Sequence, residues 1–265
     1  MIIKSYKQLE EFIKLFVNRK IDLLILYSEG GLGKTYGLNE YKDDNIINVN
    51  IHTTPLQIFL DAKKNKDASF VFDDLDSTFS NPIFISFVKS LANNEKIKII
   101  QYNSSDPRIK ESGSQFETKS NCAILCNKMT FNNPNVQAMI SRGFLVEFRP
   151  TIDEIYKRGR IIILKDETLS KRQKNEVLGF IRKYMEFAET FNLRVFVKTA
   201  QLIKSTPRWE EYMLNDLKIS EEKIRKQQEI DKVMNSQLKK SEKIKALSRL
   251  NGTSIRTEQR KWKVR

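Results

Sequence analysis

Nothing in the sequence approaches the ~18 uninterrupted apolar residues that a membrane-spanning helix needs. The opening run MIIKSYKQLEEF passes from a short apolar start into a charged helical pattern and lacks the apolar centre of a secretory leader. A cytoplasmic protein with no membrane partner is therefore expected. There is one histidine, His52, and there are two cysteines, Cys122 and Cys126. Four residues apart on a strand, the two thiols share a face but stand too far apart for an easy disulfide. Zinc would need more ligands than these and one remote histidine supply. Buried apolar thiols are the expectation. Internal repeats and low-complexity tracts are also absent.

What is present is enough to build a core. The 265 residues are 40% hydrophobic and 30% charged, suited to one large domain or two modest ones. The net charge of +14 is unevenly spread: residues 1–150 carry +2, residues 151–219 carry +4 and residues 220–265 carry +8. A terminus this basic points to a polyanion, nucleic acid before membrane. A solubilising tail is the alternative.

The apolar pattern alternates between helix and strand. Ser5 is placed to cap an amphipathic helix through about Asn18, with Leu9, Phe12, Ile13 and Phe16 on one face. Strand-length apolar runs follow at Ile21–Tyr27, Ile46–Ile51, Ser69–Phe72, Ile97–Tyr102, Ala123–Cys126 and Phe144–Phe148. Helical stretches separate most of them, which predicts an α/β fold with a parallel sheet covered on both faces. After Pro150 the pattern is helical only: one long helix over Ser170–Phe191, a second near Leu193–Lys204 and a third near Arg208–Leu217. Ser220–Leu250 reads as a charged helix, whole or broken. The chain thus divides into an α/β domain (1–150), a small all-helical domain (151–217) and a basic helical tail (218–265).

Between the first strand and the next helix stands Ser28-Glu29-Gly30-Gly31-Leu32-Gly33-Lys34-Thr35. It matches the phosphate-binding pattern G-x-x-x-x-G-K-[ST] except that Ser28 replaces the first glycine. Glycine turns let backbone N–H groups face phosphate oxygens, and the following helix adds its positive dipole end. Lys34 is expected to reach the β- and γ-phosphates, and the Thr35 hydroxyl to ligate magnesium. A second motif supports the first. Ser69-Phe70-Val71-Phe72-Asp73-Asp74 is an apolar strand ending in acids, and an acid at the carboxyl end of a parallel strand faces the ligand crevice. Asp73 is the candidate for holding Mg2+, and Asp74 for orienting or deprotonating the attacking water. An aspartate where a glutamate is commoner implies slow turnover.

With both motifs in hand, residues 1–217 resemble the AAA+ ATPases, P-loop NTPases with a helical lid. The resemblance implies ATP and Mg2+ as ligands. It makes Asn127, ending the run Ala123–Cys126, a polar sensor of the lytic water. Ser141-Arg142-Gly143 looks like the serine-arginine motif of clamp-loader subunits, so Arg142 becomes an arginine finger reaching a neighbouring subunit. That implies a homo-oligomeric ring, a hexamer or another size. Arg194 matches a second sensor arginine, with Arg182 and Arg208 as fallbacks. The long interval from Asp73 to Asn127 holds two extended runs, Lys96–Tyr102 and Phe116–Lys119, around a polar loop. This resembles the pre-sensor hairpin clade that includes the superfamily 3 helicases, and Arg108 and Lys110 near its tip suit phosphate tracking. An ordinary solvated loop is the alternative. The run of motifs also looks like that of uncharacterised ATPases carried by bacteriophages, for which the compartment would be the host cytoplasm.

In the tail, a helix ends near Leu250, Asn251-Gly252 turns, and Ser254 is placed to cap a second helix. Helix, glycine turn and basic helix form a helix-turn-helix pattern. Arg256, Arg260, Lys261, Lys263 and Arg265 would be available for phosphates or base edges. Trp262 would anchor the helix or stack on a base. A docking peptide for a protein partner and a plain basic tail are the alternatives. Three functions follow: a ring ATPase acting on DNA in replication or recombination, a clamp-loader-like or helicase-loader switch, and a protein-remodelling ATPase. The last is disfavoured because no aromatic-hydrophobic-glycine loop is offered to a pore; Phe84 and Phe87 lie in a predicted helix.

Overall fold

The computed structural model describes residues 1–265 other than 42–44, 50–52, 74–80, 128–131, 220 and 265, and does not include the side chains of 221, 227, 231, 261, 263 and 264. Two compact units result: Met1–Ile161 with Asn192–Arg194, and Ile162–Phe191 with Val195–Arg265.

The first unit runs β1 (Ile2–Ile3), α1 (Tyr6–Val17), β2 (Leu23–Tyr27), α2 (Lys34–Asn39), β3 (Ile46–Val49), α3 (Pro55–Lys64), β4 (Ser69–Asp73), α4 (Pro82–Leu91), β5 (Lys98–Gln101), α5 (Pro107–Ser112), β6 (Gln115–Thr118), β7 (Asn121–Cys126), α6 (Pro134–Ile140), β8 (Phe144–Phe148) and α7 (Ile152–Lys165). Helix starts are specified locally. Ser5 caps α1, accepting from the Gln8 N–H. At α3, α4, α5 and α6 the caps Thr54, Asn81, Asp106 and Asn133 are each followed by proline, whose missing N–H costs nothing at the first helical position.

Six strands form one sheet in the order β1-β8-β2-β7-β4-β3, and every pairing is parallel. Leu23–Leu26 and Cys122–Cys126 have no exposed surface, as expected of central strands covered on both faces. Both cysteines are buried free thiols. Phe70, Phe72, Phe84, Val88 and Leu91 carry the core between the sheet and α4. Phe84 and Phe87 are buried core residues of that helix. The sheet reverses at β2: the chain leaves it for the β3 edge, works back through β4 and β7, then crosses to β8 on its other side. Such a reversal opens a ligand crevice at the carboxyl ends of the strands.

Between α4 and β7 the chain inserts an antiparallel β5–β6 pair, registered from Lys98 opposite Thr118 to Gln101 opposite Gln115. The segment read as a polar loop between them contains α5, nucleated by Asp106-Pro107. Lys98 pins the hairpin base: its buried ammonium donates to Asp22 at 2.5 Å and to the Ser120 carbonyl. Phe116 packs edge-on against Phe59 of α3.

In the second unit, α8 (Lys171–Tyr184) opens with a Ser170/Gln173 capping box. The single helix expected over Ser170–Phe191 ends at Tyr184. Chain beyond it bonds elsewhere, the Glu189 N–H donating to the Leu217 carbonyl, so tertiary pairing overrides local propensity. α9 (Leu193–Ser205) and α10 (Trp209–Asp216) follow, and Trp209 packs 5.0 Å from Phe180. The charged stretch after 220 is two helices, α11 (Glu221–Asn235) and α12 (Lys240–Asn251), followed by α13 (Ile255–Val264). Among the described residues, no helix is long and apolar enough to cross a membrane.

Candidate nucleotide-binding site

β2 delivers the loop Ser28–Gly33 to the crevice. Gly31 and Gly33 hold φ of 80° and 82°, left-handed values that L side chains adopt at a cost. Space forbids a side chain as well. A Cβ on Gly31 would lie 2.9 Å from the Asn192 side chain, and one on Gly33 would lie 2.9 Å from Leu193 Cδ1. The Leu193 N–H donates to the Gly31 carbonyl at 3.0 Å, so the 192–194 segment braces the loop. Arg194 is thereby brought beside the loop with its side chain exposed. Its backbone N–H donates to Asn192 Oδ1.

Lys34, the first residue of α2, is 7% exposed. Its Nζ donates to the Ser28 carbonyl and hydroxyl and to Asn127 Oδ1, each at 2.9 Å, and to the Glu29 carbonyl at 3.3 Å. Ser28, the departure from the motif, thus has a use: its hydroxyl accepts from Lys34 and donates to Glu29 O. Asn127, at the end of β7, joins the same group. The Thr35 hydroxyl donates to Asp73 Oδ2 at 2.6 Å, linking α2 to the end of β4. Two hard oxygens side by side next to a lysine in a glycine-lined concavity suit a magnesium–phosphate ligand. Asp74 lies outside the described residues.

Two neighbours were not legible beforehand. The Tyr6 hydroxyl donates to the Leu32 carbonyl, fixing the loop from α1. Burial pushes that hydroxyl's pKa well above the ordinary tyrosine value, with Arg158 opposing. Arg158 of α7 lies 5.7 Å from the Tyr6 ring and 5.6 Å from the Tyr36 ring, and pairs with Glu40 at 2.6 Å and Glu10 at 3.5 Å. It ties α1, α2 and α7 together. An arginine in a charged helix gives no sequence signal of this, because its partners come from two other segments, both more than a hundred residues away.

Arg142 stands elsewhere. It precedes β8, at the amino ends of the strands, and donates to the Lys89 carbonyl at the end of α4. One strand length, roughly 16 Å for five residues, separates that end of the sheet from its own phosphate loop. Of the hairpin cations, Arg108 is exposed and forms a two-pronged ion pair with Asp106, whose carboxyl it holds down at about 2. Lys110 is exposed on α5. Of the fallback sensors, Arg208 is paired with Glu211, and Arg182 contacts the Met185 sulfur. In the tail, Arg256 and Arg260 are exposed; Trp262 is half-buried, with Lys240 Nζ 5.8 Å from its ring. The side chains of Lys261 and Lys263, and all of Arg265, lie outside the described residues.

No protein-family model matches the sequence, and no curated protein is similar to it. Among solved structures, the chain is similar to PCH-2 of C. elegans: 11% identity, TM-score 0.46, covering 80% of this chain and 67% of that one. The fold is a mixed α/β one, a six-stranded parallel sheet flanked by helices. Its parallel sheet reverses at the strand that feeds the phosphate loop, an acid ends the third of the core strands, and a helical region follows.

Proposed function

We propose that the chain binds ATP with Mg2+ in this crevice and hydrolyses it as one subunit of a homo-oligomeric ring, acting on nucleic acid in replication or recombination. The carrying observation is the 2.6 Å contact of Thr35 with Asp73 beside the buried Lys34. Bound magnesium would neutralise phosphate charge as it develops. Lys34 would exchange loop oxygens for those of the terminal phosphates, and Thr35 and Asp73 would hold the metal. Asn127 would orient the lytic water and Asp74 accept its proton. Arg142 is remote from its own loop, which supports a role on a neighbouring subunit's nucleotide. Arg194 would sense the nucleotide from the segment that braces Gly31. The nucleic-acid half of the reading is supported by the basic carboxyl third and by the hairpin inserted before β7.

The deciding experiment is ATP turnover by the full chain alone, with single-stranded DNA and with duplex. Stimulation supports the reading; turnover indifferent to both would sink its nucleic-acid half. A loader-like switch working through a protein partner is the second reading, favoured by Ser141-Arg142-Gly143 and by the short Asp74. It predicts weak turnover that rises only when the partner is added.

A further inference from the structure

Helix α11 stands beside the helix, turn and basic helix of α12 and α13. Lys243 Nζ of α12 donates to the Met234 carbonyl of α11 at 2.7 Å, and Ile244 and Leu247 are buried beneath. Gly252, at φ 61°, ends α12, and the Ser254 hydroxyl accepts from the Thr257 N–H to start α13. A carboxylate locks this turn. Glu258 is 2% exposed and accepts from Thr253 Oγ1 at 2.8 Å and Asn251 Nδ2 at 3.2 Å. Ser248 adds a hydrogen bond to the Thr253 carbonyl. The pose of α13 on α12 is therefore fixed by buried polar bonds rather than by apolar contact alone.

Charge on α12 and α13 is mostly of one sign. Lys239–Arg265 contains ten basic residues and two acidic ones. Of the two acids, Glu258 is buried in the turn, and Glu242, exposed at the start of α12, accepts the Lys239 N–H. On α13, Glu258 and Trp262 are the described side chains that are buried or half-buried, one turn apart, while Arg256, Gln259 and Arg260 are exposed. With Lys240 and Ile244 these three line an open cleft of about 430 Å³.

This chemistry favours duplex DNA. A helix presenting arginine and glutamine after a tight turn fits the major groove, where arginine pairs with guanine and glutamine with adenine. Single strands are held on several stacking aromatics; Trp262 is the one aromatic in 221–265, and it already faces Lys240. A-form RNA offers too narrow a major groove for a helix. We infer that α11–α13 is a duplex-DNA-binding unit that lays α13 in the major groove, with Arg256, Gln259 and Arg260 meeting the DNA. This rests on, and sharpens, the reading of the chain as an ATPase acting on nucleic acid.

The test is binding of the full chain, without nucleotide, to a fluorescent duplex and to the matching single strand over a range of salt. Duplex should bind more tightly. Arg256→Ala with Arg260→Ala should weaken it about tenfold or more and flatten the slope of log affinity against log salt by about two. Lys245→Ala with Arg249→Ala removes the same charge from exposed positions of α12 and should cost less. Equal losses from both pairs, meaning a plain basic tail, or a preference for the single strand would overturn the inference. On the unaltered chain, hydrogen exchange should slow over 255–260 when duplex is added; no slowing there would overturn it too. Because nucleotide is absent, failure here leaves ATP turnover to be judged on its own. A chain that binds duplex but turns over no ATP would overturn the ATPase reading alone.

Discussion

Lys34 is a buried cation surrounded by loop dipoles, four oxygens within 3.3 Å. Those dipoles compensate its desolvation and hold the ammonium where phosphate oxygens would arrive. Lys34→Ala should abolish binding of a fluorescent ATP analogue. Asp74→Asn should bind it normally and stop turnover; wild-type turnover would remove Asp74 from the chemistry. Arg158 carries a second, structural prediction. Its side chain is 15% exposed between two tyrosine rings and two glutamates. Removing it strands partly buried carboxylates, so Arg158→Ala should lower unfolding free energy by about 2 kcal/mol in urea titration. Lysine there should recover only part, since it cannot span the same partners. Cys122 sets an alkaline limit. Burial raises its thiol pKa from 9.0 to about 12. The folded state therefore favours the protonated form: this contribution is whole below pH 9 and is lost as pH rises towards 12. Melting temperature should fall across that window in wild type, and less in Cys122→Ala when each is compared with its own value at pH 8.

At the scale of elements, short local signals chose the boundaries and distant contacts chose the conformations between them. Cap-proline pairs start α3, α4, α5 and α6. The glycines of the loop were readable as a motif, but the side chains crowding Gly31 and Gly33 lie about 160 residues on, in Asn192 and Leu193. Gly143 is a comparable case. A Cβ there would stand 2.6 Å from Leu23 Cβ and 2.7 Å from the Leu23 carbonyl, in the turn that leads Arg142 into β8. Backbone cannot yield as a flexible side chain can, so Gly143→Ala should destabilise the chain by about 2 kcal/mol or more, read as a lowered urea midpoint. The hairpin strands were legible from two apolar runs; α5 was not, because six residues are too few to show helical periodicity. The pairing of Arg108 with Asp106 was hidden for the same reason: Asp106 looked like one more loop residue.

For the whole molecule, the reading turns on assembly. Arg142 lies at the amino ends of the strands while Lys34 lies beyond their carboxyl ends. On the proposed reading, an arginine so placed would serve another subunit's nucleotide. Arg142→Ala should therefore bind ATP and fail to hydrolyse it, and mixing it with Lys34→Ala subunits should restore turnover where an intact finger meets an intact loop. Normal turnover by Arg142→Ala alone would end the assignment.

Composition and pattern were enough for the α/β class, the glycine-rich motif, the acid ending β4 and the basic carboxyl end, because each depends on residues adjacent in the chain. Strand order, the Thr35–Asp73 contact, the Asn192–Leu193 brace and the Arg158 clamp depend on segments tens to more than a hundred residues apart. Local chemistry proposes such partners; the packing of the sheet and helices selects among them, since only the folded chain brings their atoms within hydrogen-bonding reach.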